Sequence, residues 1–269
     1  MKCADLSFFQ KFHPTLPIVD NTLTPAHTFT VCPLLYHTLL LLATLDTPNH
    51  ALTWPLTQTV NTAAPQNLLS PHKSVYLVQA FLLLATWPQT YPHGSNINEQ
   101  AWMYASTATH MAQCLGLHKS FLSSEYSSTQ TETTEDTRRE WVRTWVGCFI
   151  VSQLYSPIRK LLTYSISTSL GVPPIIMEDF TIQNAPSLLS PTTSSSYDPA
   201  LSRLLDKLKM ARVGARITSL LSTCPNSSSG LAEIGDNLAI FRVLQADVQE
   251  VEASLLNTDG TSHPPTQNW

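Results

Sequence analysis

Ala101-Trp102-Met103-Tyr104-Ala105-Ser106-Thr107-Ala108-Thr109-His110-Met111-Ala112-Gln113-Cys114-Leu115-Gly116-Leu117-His118 is a helix marked by small residues. Ala101, Ala105, Ala108, Ala112 and Leu115 recur at steps of four, three, four and three, which places them on one stripe of a 3.6-residue period. Small side chains there let a neighbouring helix approach to the close end of the usual axial range, about 8 Å. Asn98 stands where a cap is wanted, and Glu99 sits at the positive end of the helix dipole. At the other end Gly116 occupies the place of a left-handed cap, and Leu117 can fold back on the last turn.

Outward from this helix the chain keeps the same character. His72 to Trp87 is apolar on nearly all sides, the pattern of a helix central to a bundle, and Pro88 and Pro92 end it. Pro33 to Leu45 predicts an earlier helix, and Pro48, Pro55 and Pro65 predict a loop-rich connection. Pro14, Pro17 and Pro25 predict an extended opening segment over residues 1–30, pinned to a core by Phe8, Phe9, Phe12, Leu16 and Ile18. Downstream, Ser120 to Thr137 reads as a polar surface loop. A helix from about Asp136 to Tyr155 follows, with Trp141, Trp145, Cys148, Phe149 and Ser152 on one side. Pro157 interrupts it, Leu161 to Leu170 resumes, and Gly171-Val172-Pro173-Pro174 is a stop.

Ser187 to Pro199 reads as a second polar loop, and helices from Pro199 to Ser222 and from Leu231 to Leu256 close the chain. In the last, Ile234, Phe241, Val248 and Leu255 recur every seven residues, with Leu238 and Val251 beside them. So few heptads are short for a coiled coil, so packing on the chain's own domain is preferred to a dimer seam. With no internal repeat and no strand alternation, the fold class is all-α: a multi-helix bundle in a single large domain with polar surface loops. The expected divisions are the opening segment 1–30, a helical domain 31–185, a polar linker 186–199, C-terminal helices packing on the domain over 200–258, and a disordered tail 259–269.

Composition narrows the function. Hydrophobic residues make up 43% of the 269 and charged residues 13%, about half the usual share of charge, so most of the chain should fold. A net charge of −4 lacks the basic surface that holds nucleic acid. Cys3, Cys32, Cys114, Cys148 and Cys224 show no zinc-knuckle spacing. Their odd number, and the absence of an apolar leader after Met1, suit free thiols in a reducing compartment. The most apolar stretches, Leu34 to Leu45 and Val75 to Trp87, are too short to cross a bilayer, so no membrane partner is expected.

No chemistry assembles from spacing. His110 and His118 lie near one helix face and could share a metal, but a polar face and a helix-end histidine explain them. His13, His27, His37, His50, His72, His93 and His263 have no ligand spacing. Glu178-Asp179 and Glu132, Glu135, Asp136 read as solvated loop charge rather than acid/base pairs. Cys114 and Cys148 read as small core residues. Arg138-Arg139, Arg143 and Arg159-Lys160 form a basic run that pairs locally with Glu135, Asp136 and Glu140. No serine has nucleophile-elbow glycines, and no glycine cluster could cradle phosphate. Catalytic, cofactor-binding and metal residues are therefore expected to be none.

Two segments together carry a resemblance. Trp102, Ala105, Ala108, Met111, Ala112 and the closing Leu115-Gly116-Leu117-His118 form the first. Arg138-Arg139, Trp141 and Trp145, running on to Gly171 and Pro173, form the second. In order and spacing they resemble the fungal-specific transcription factor domain, the middle homology region of regulators that carry a binuclear zinc cluster. The similarity spans roughly residues 8 to 180. The chain departs from the family pattern at His110, which stands for an arginine, at Ser152-Gln153, which stand for an Asp-Arg pair, and at Val172, which stands for another arginine. The interval from Trp145 to Gly171 is also longer than in the family. Without the ion pairs, that corner should rely on apolar packing, a trade that can be neutral.

The resemblance implies a regulatory domain in the nucleus, controlling transcription by RNA polymerase II through conformational, partner or ligand gating. Partners would be other transcription regulators or a second copy, and an effector would be a small molecule. Zinc and DNA would be held only by an N-terminal module missing here, which implies a fragment, a truncated chain or a regulator without a DNA-reading head. A helical interaction module that titrates related regulators is the alternative, and an enzyme the remote one.

Overall fold

The computed structural model describes residues 2–45, 51–68, 72–88, 97–122, 134–154, 176–190, 198–222 and 237–259. Its α-helices are α1 (Lys2–Lys11), α2 (Pro25–Val31), α3 (Pro33–Thr44), α4 (Thr53–Leu68), α5 (Val75–Thr86), α6 (Ile97–Cys114), α7 (Glu135–Leu154), α8 (Phe180–Leu189), α9 (Pro199–Ser222) and α10 (Asn237–Asp259), with a 3₁₀ turn over Leu117–Leu122. Among the described residues there is no strand, and the architecture is an all-α multi-helix array.

α5 is the axle. Every residue from Leu77 to Thr86 is buried, because leucine, alanine and phenylalanine on all sides leave no polar face to turn outward. The Ser74 side chain caps it by accepting from the Leu77 N–H. α6 lies along α5, while α3 and α7 cover its other sides. The alanine stripe makes the α5–α6 pairing: Ala101, Ala105, Ala108 and Ala112 are all buried. Gly116 has φ +76°, the left-handed conformation that ends a helix at least cost when no Cβ is present, and Leu117 beyond it is fully buried. The Asn98 side chain, expected to cap α6, lies outside the described residues.

The opening segment departs from the extended reading. Lys2–Lys11 is helical, because Pro14 is the first residue that obstructs a helix; only residues between α1 and α2 are irregular. Phe8, Leu16 and Ile18 are buried, as their apolar character predicts. Close approach to α7 is allowed by Gly147, where a Cβ would sit 2.6 Å from Ile18 Cγ2. The loop-rich reading of Pro55 and Pro65 is also corrected, since both lie in α4. Pro55 falls in the first turn, where its missing N–H would have had no partner, and Pro65 lies within the last turn.

α8 carries no clear sequence signal, because Pro186 lies inside it and polar residues follow; it runs to Leu189, past the Ser187 at which the polar loop is expected to begin. α9 spans the expected residues and packs on α7 through Leu204, Leu208 and Ala211. α10 packs chiefly on α9. Leu244 is buried, but Phe241 and Val248 of the heptad line are 62% and 47% exposed, contrary to the expected inward seam. A helix resting on one neighbour has only one line of residues to bury. Pro48, Pro157, the Leu161–Leu170 helix, the Gly171–Pro174 stop and the side chains of Ile234, Leu238 and Leu255 lie outside the described residues.

Candidate functional site

The two motif segments meet at a corner formed by the end of α6, the middle of α7 and the start of α8. Trp145 is buried, and its indole N–H donates to Asp179 Oδ2 at 2.9 Å. The other carboxylate oxygen, Oδ1, accepts from the Ile182 N–H at 2.9 Å and caps α8. Thr181 donates its hydroxyl to the His118 carbonyl oxygen at 2.6 Å. The His118 ring lies 5.7 Å from the Trp145 ring, tilted by 50°. Burial lowers its pKa, with the Lys119 charge adding to the effect and Asp179 opposing it. Asp179, read as solvated charge, is thus a structural acceptor, and Glu178 beside it pairs with Arg212 of α9. No sequence spacing announced this, since the partners lie 34 and 63 residues apart.

The remaining motif residues divide by side. Ala105, Ala108, Met111, Ala112 and Leu117 are buried, Leu115 and Trp141 are half-buried, and Trp102 is 36% exposed. Arg138 and Arg139 pair with Glu135 at 3.3 and 3.7 Å on the first turn of α7. Glu140, assigned to the same surface pairing, instead turns inward and accepts from Gln79 Nε2 at 3.2 Å. Desolvation raises its pKa, against that hydrogen bond. Gln79 also donates to the Ile18 carbonyl oxygen and to the Thr144 hydroxyl. Gly171, Pro173 and Arg159-Lys160 lie outside the described residues.

Where the family pattern has Asp-Arg, Ser152 donates to the Phe149 carbonyl oxygen and Gln153 to that of Ile176. That corner therefore keeps polar links as well as apolar packing. Cys148 is buried, and burial raises its thiol pKa. Cys114 is exposed, contrary to the core reading, with Sγ 3.7 Å from His110 Nε2. The last turn of α6 turns that side of the helix away from α5.

On the opposite side of α7 lies a cleft of about 150 Å³, bounded by residues 13–21, Arg143 and the start of α9. His13 Nε2 donates to the Val19 carbonyl oxygen at 2.9 Å; a carbonyl only accepts, which leaves Nδ1 as an acceptor. Burial lowers the His13 pKa, the Val19 bond opposing this. Asp20 Oδ1 accepts from the Thr22 N–H at 2.8 Å, and Asp198 Oδ1 from the Ala200 N–H at 3.0 Å. Lys207 of α9 donates to the Thr15 carbonyl oxygen, and burial, with Arg203 nearby, brings its pKa down to about 8. No local sequence pattern marks this cleft, because its groups come from three distant parts of the chain.

Comparison with known proteins gives these geometries a context. The model of the fungal specific transcription factor domain matches residues 6–234. The chain is 24% identical over 250 residues to the putative transcription factor SEF1 of Kluyveromyces lactis, covering 92% of this chain and 20% of that protein. It is 26% identical over 265 residues to the regulatory protein LEU3 of Saccharomyces cerevisiae, covering 92% of this chain and 28% of that protein. The SEF1 protein of Eremothecium gossypii is 24% identical over 252 residues, with coverages of 92% and 22%. The chain therefore spans under a third of the length of these relatives, and no solved structure matches it.

Proposed function

The chain belongs to the fungal specific transcription factor domain family, and from that premise we propose that it gates the activity of a nuclear transcription regulator acting on RNA polymerase II. Membership over residues 6–234 is the observation that carries this reading. The corner supports it by supplying a fixed joint: Trp145, Asp179 and Thr181 hold α7, α8 and the 3₁₀ turn after α6 in one arrangement. A rigid joint of this kind transmits a displacement of α8 or α9 to the central helices rather than absorbing it. The partner that reads the displacement is another regulator or another part of the same one. Among the described residues, no helix is long and apolar enough to cross a membrane.

Among the described residues no group of three or more His, Cys, Asp or Glu side chains could hold a metal ion. Cys32 and Cys148 are buried, and Cys114 faces outward. We assign zinc and sequence-specific DNA contact to a separate module of a longer protein, as the family membership suggests. The net charge of −4 agrees, since duplex binding draws on clustered cations.

A transcription reporter tests the proposal. A fusion of a heterologous DNA-binding head, this chain and a constitutive activating segment should give lower output than the same fusion without the chain. Substituting Trp145 by alanine in the fusion should restore output at equal protein level. Output indifferent to the presence of the chain would overturn the gating role.

A further inference from the structure

The cleft beside Arg143 gathers charges of both signs. Its polar lining is one guanidinium (Arg143), two carboxylates (Asp20 and Asp198), the His13 imidazole and the Asn21 amide. Each aspartate commits Oδ1 to a backbone N–H, and the second oxygen has no hydrogen bond among the described residues. Arg143 forms no ion pair among the described residues, although it and both aspartates lie close enough to act electrostatically on His13. Charges of both signs thus line one small cleft without neutralising one another at contact distance.

We propose that this cleft is a binding site for a compact zwitterion of the α-amino acid type. The ligand carboxylate would meet Arg143, whose planar fork matches two carboxylate oxygens. The ligand ammonium would meet the open oxygens of Asp20 and Asp198 and the acceptor Nδ1 of His13. A plain anion is disfavoured by two carboxylates, and a plain cation leaves the guanidinium unanswered. The volume of about 150 Å³ is that of roughly five liquid waters, below the usual range for drug-sized ligands, so the side chain must be small. Because the cleft joins residues 13–21 and α7 to the start of α9, occupancy would fasten α9 to α7. That regulatory consequence rests on the gating role proposed above; binding itself does not.

Calorimetric titration of the whole chain tests this, with glycine, L-alanine, L-serine and L-valine as probes, and with acetate and ethylamine as single-charge controls. At least one amino acid should bind saturably and about tenfold or more tighter than either control. Arg143→Met and Asp198→Asn should each weaken it by about tenfold or more, with unchanged far-ultraviolet circular dichroism. Asp198→Asn keeps an oxygen for the Ala200 N–H, so it guards against loss of the fold. No saturable heat up to about 10 mM, equal binding of acetate, or affinity unmoved by both substitutions would overturn the site. A silent titration with a responsive reporter sinks the ligand alone; saturable binding with an indifferent reporter sinks the gating role alone.

Discussion

Arg143 and Trp145 stand two residues apart on α7, which turns them to nearly opposite sides of the helix. Trp145 faces a corner where most polar groups have found partners within the fold: the indole N–H, both oxygens of Asp179, the Thr181 hydroxyl and the His118 carbonyl, with His118 Nδ1 buried without one among the described residues. Arg143 faces a cleft whose ionic groups are only half committed. One helix therefore has a side that fixes geometry and a side that stays chemically available. Satisfied buried bonds make a joint stiff, because breaking any of them strands a desolvated group. Half-committed charges leave room for something outside the chain to complete them.

The largest effect expected from breaking this contrast is at the corner. Trp145→Ala should cost about 3–5 kcal/mol, measured by equilibrium urea unfolding. Trp145→Phe should keep most of the packing but strand Asp179 Oδ2, at about 1–2 kcal/mol. If both substitutions cost under about 1 kcal/mol, the corner is not a joint. Next comes Gly147→Ala, whose added methyl meets Ile18 Cγ2 at 2.6 Å inside the core. About 1–3 kcal/mol of destabilisation is expected, read by the same unfolding curves, with a crystal structure showing the opening segment displaced from α7.

The smallest effect sharpens the cleft. His13 has its folded-state pKa lowered by burial, so the unfolded chain takes up its proton first as pH falls. Stability from this group is present above about pH 6.5, the unfolded value, and is lost as pH drops through the folded value. His118 contributes with the same sign. Replacing His13 with glutamine, which retains a donor for the Val19 carbonyl, should flatten the acid limb of the stability–pH profile measured between pH 7 and 5. An unchanged limb would place the titration at His118.

The helices that build the frame were legible because their signals are local. The four-and-three recurrence of alanines, the glycine after Leu115 and the all-apolar run of α5 each fall within one element, and the structure shows them buried or left-handed as those patterns require. α4 and α8 were obscured because proline was weighted as a break, whereas Pro55 sits in a first turn and Pro186 in a short helix that tolerates it. Asp179, Glu140 and the cleft were hidden for a different reason. Their partners are 34 to about 180 residues away in the sequence, a distance that no window of pattern spans. The heptad line of α10 misled because a regular apolar period states which residues could be covered, not that a neighbour is present to cover them.

The contact between Ile18 and Gly147 sets a timetable for biosynthesis. Phe8, Leu16 and Ile18 emerge well before Gly147, so the surface that shelters Ile18 does not exist until α7 has been made. At ordinary translation rates that interval is on the order of ten seconds, long compared with hydrophobic collapse. Throughout it, this greasy segment waits on the nascent chain for its seat. Depletion of nascent-chain chaperones should therefore lower the yield of this protein.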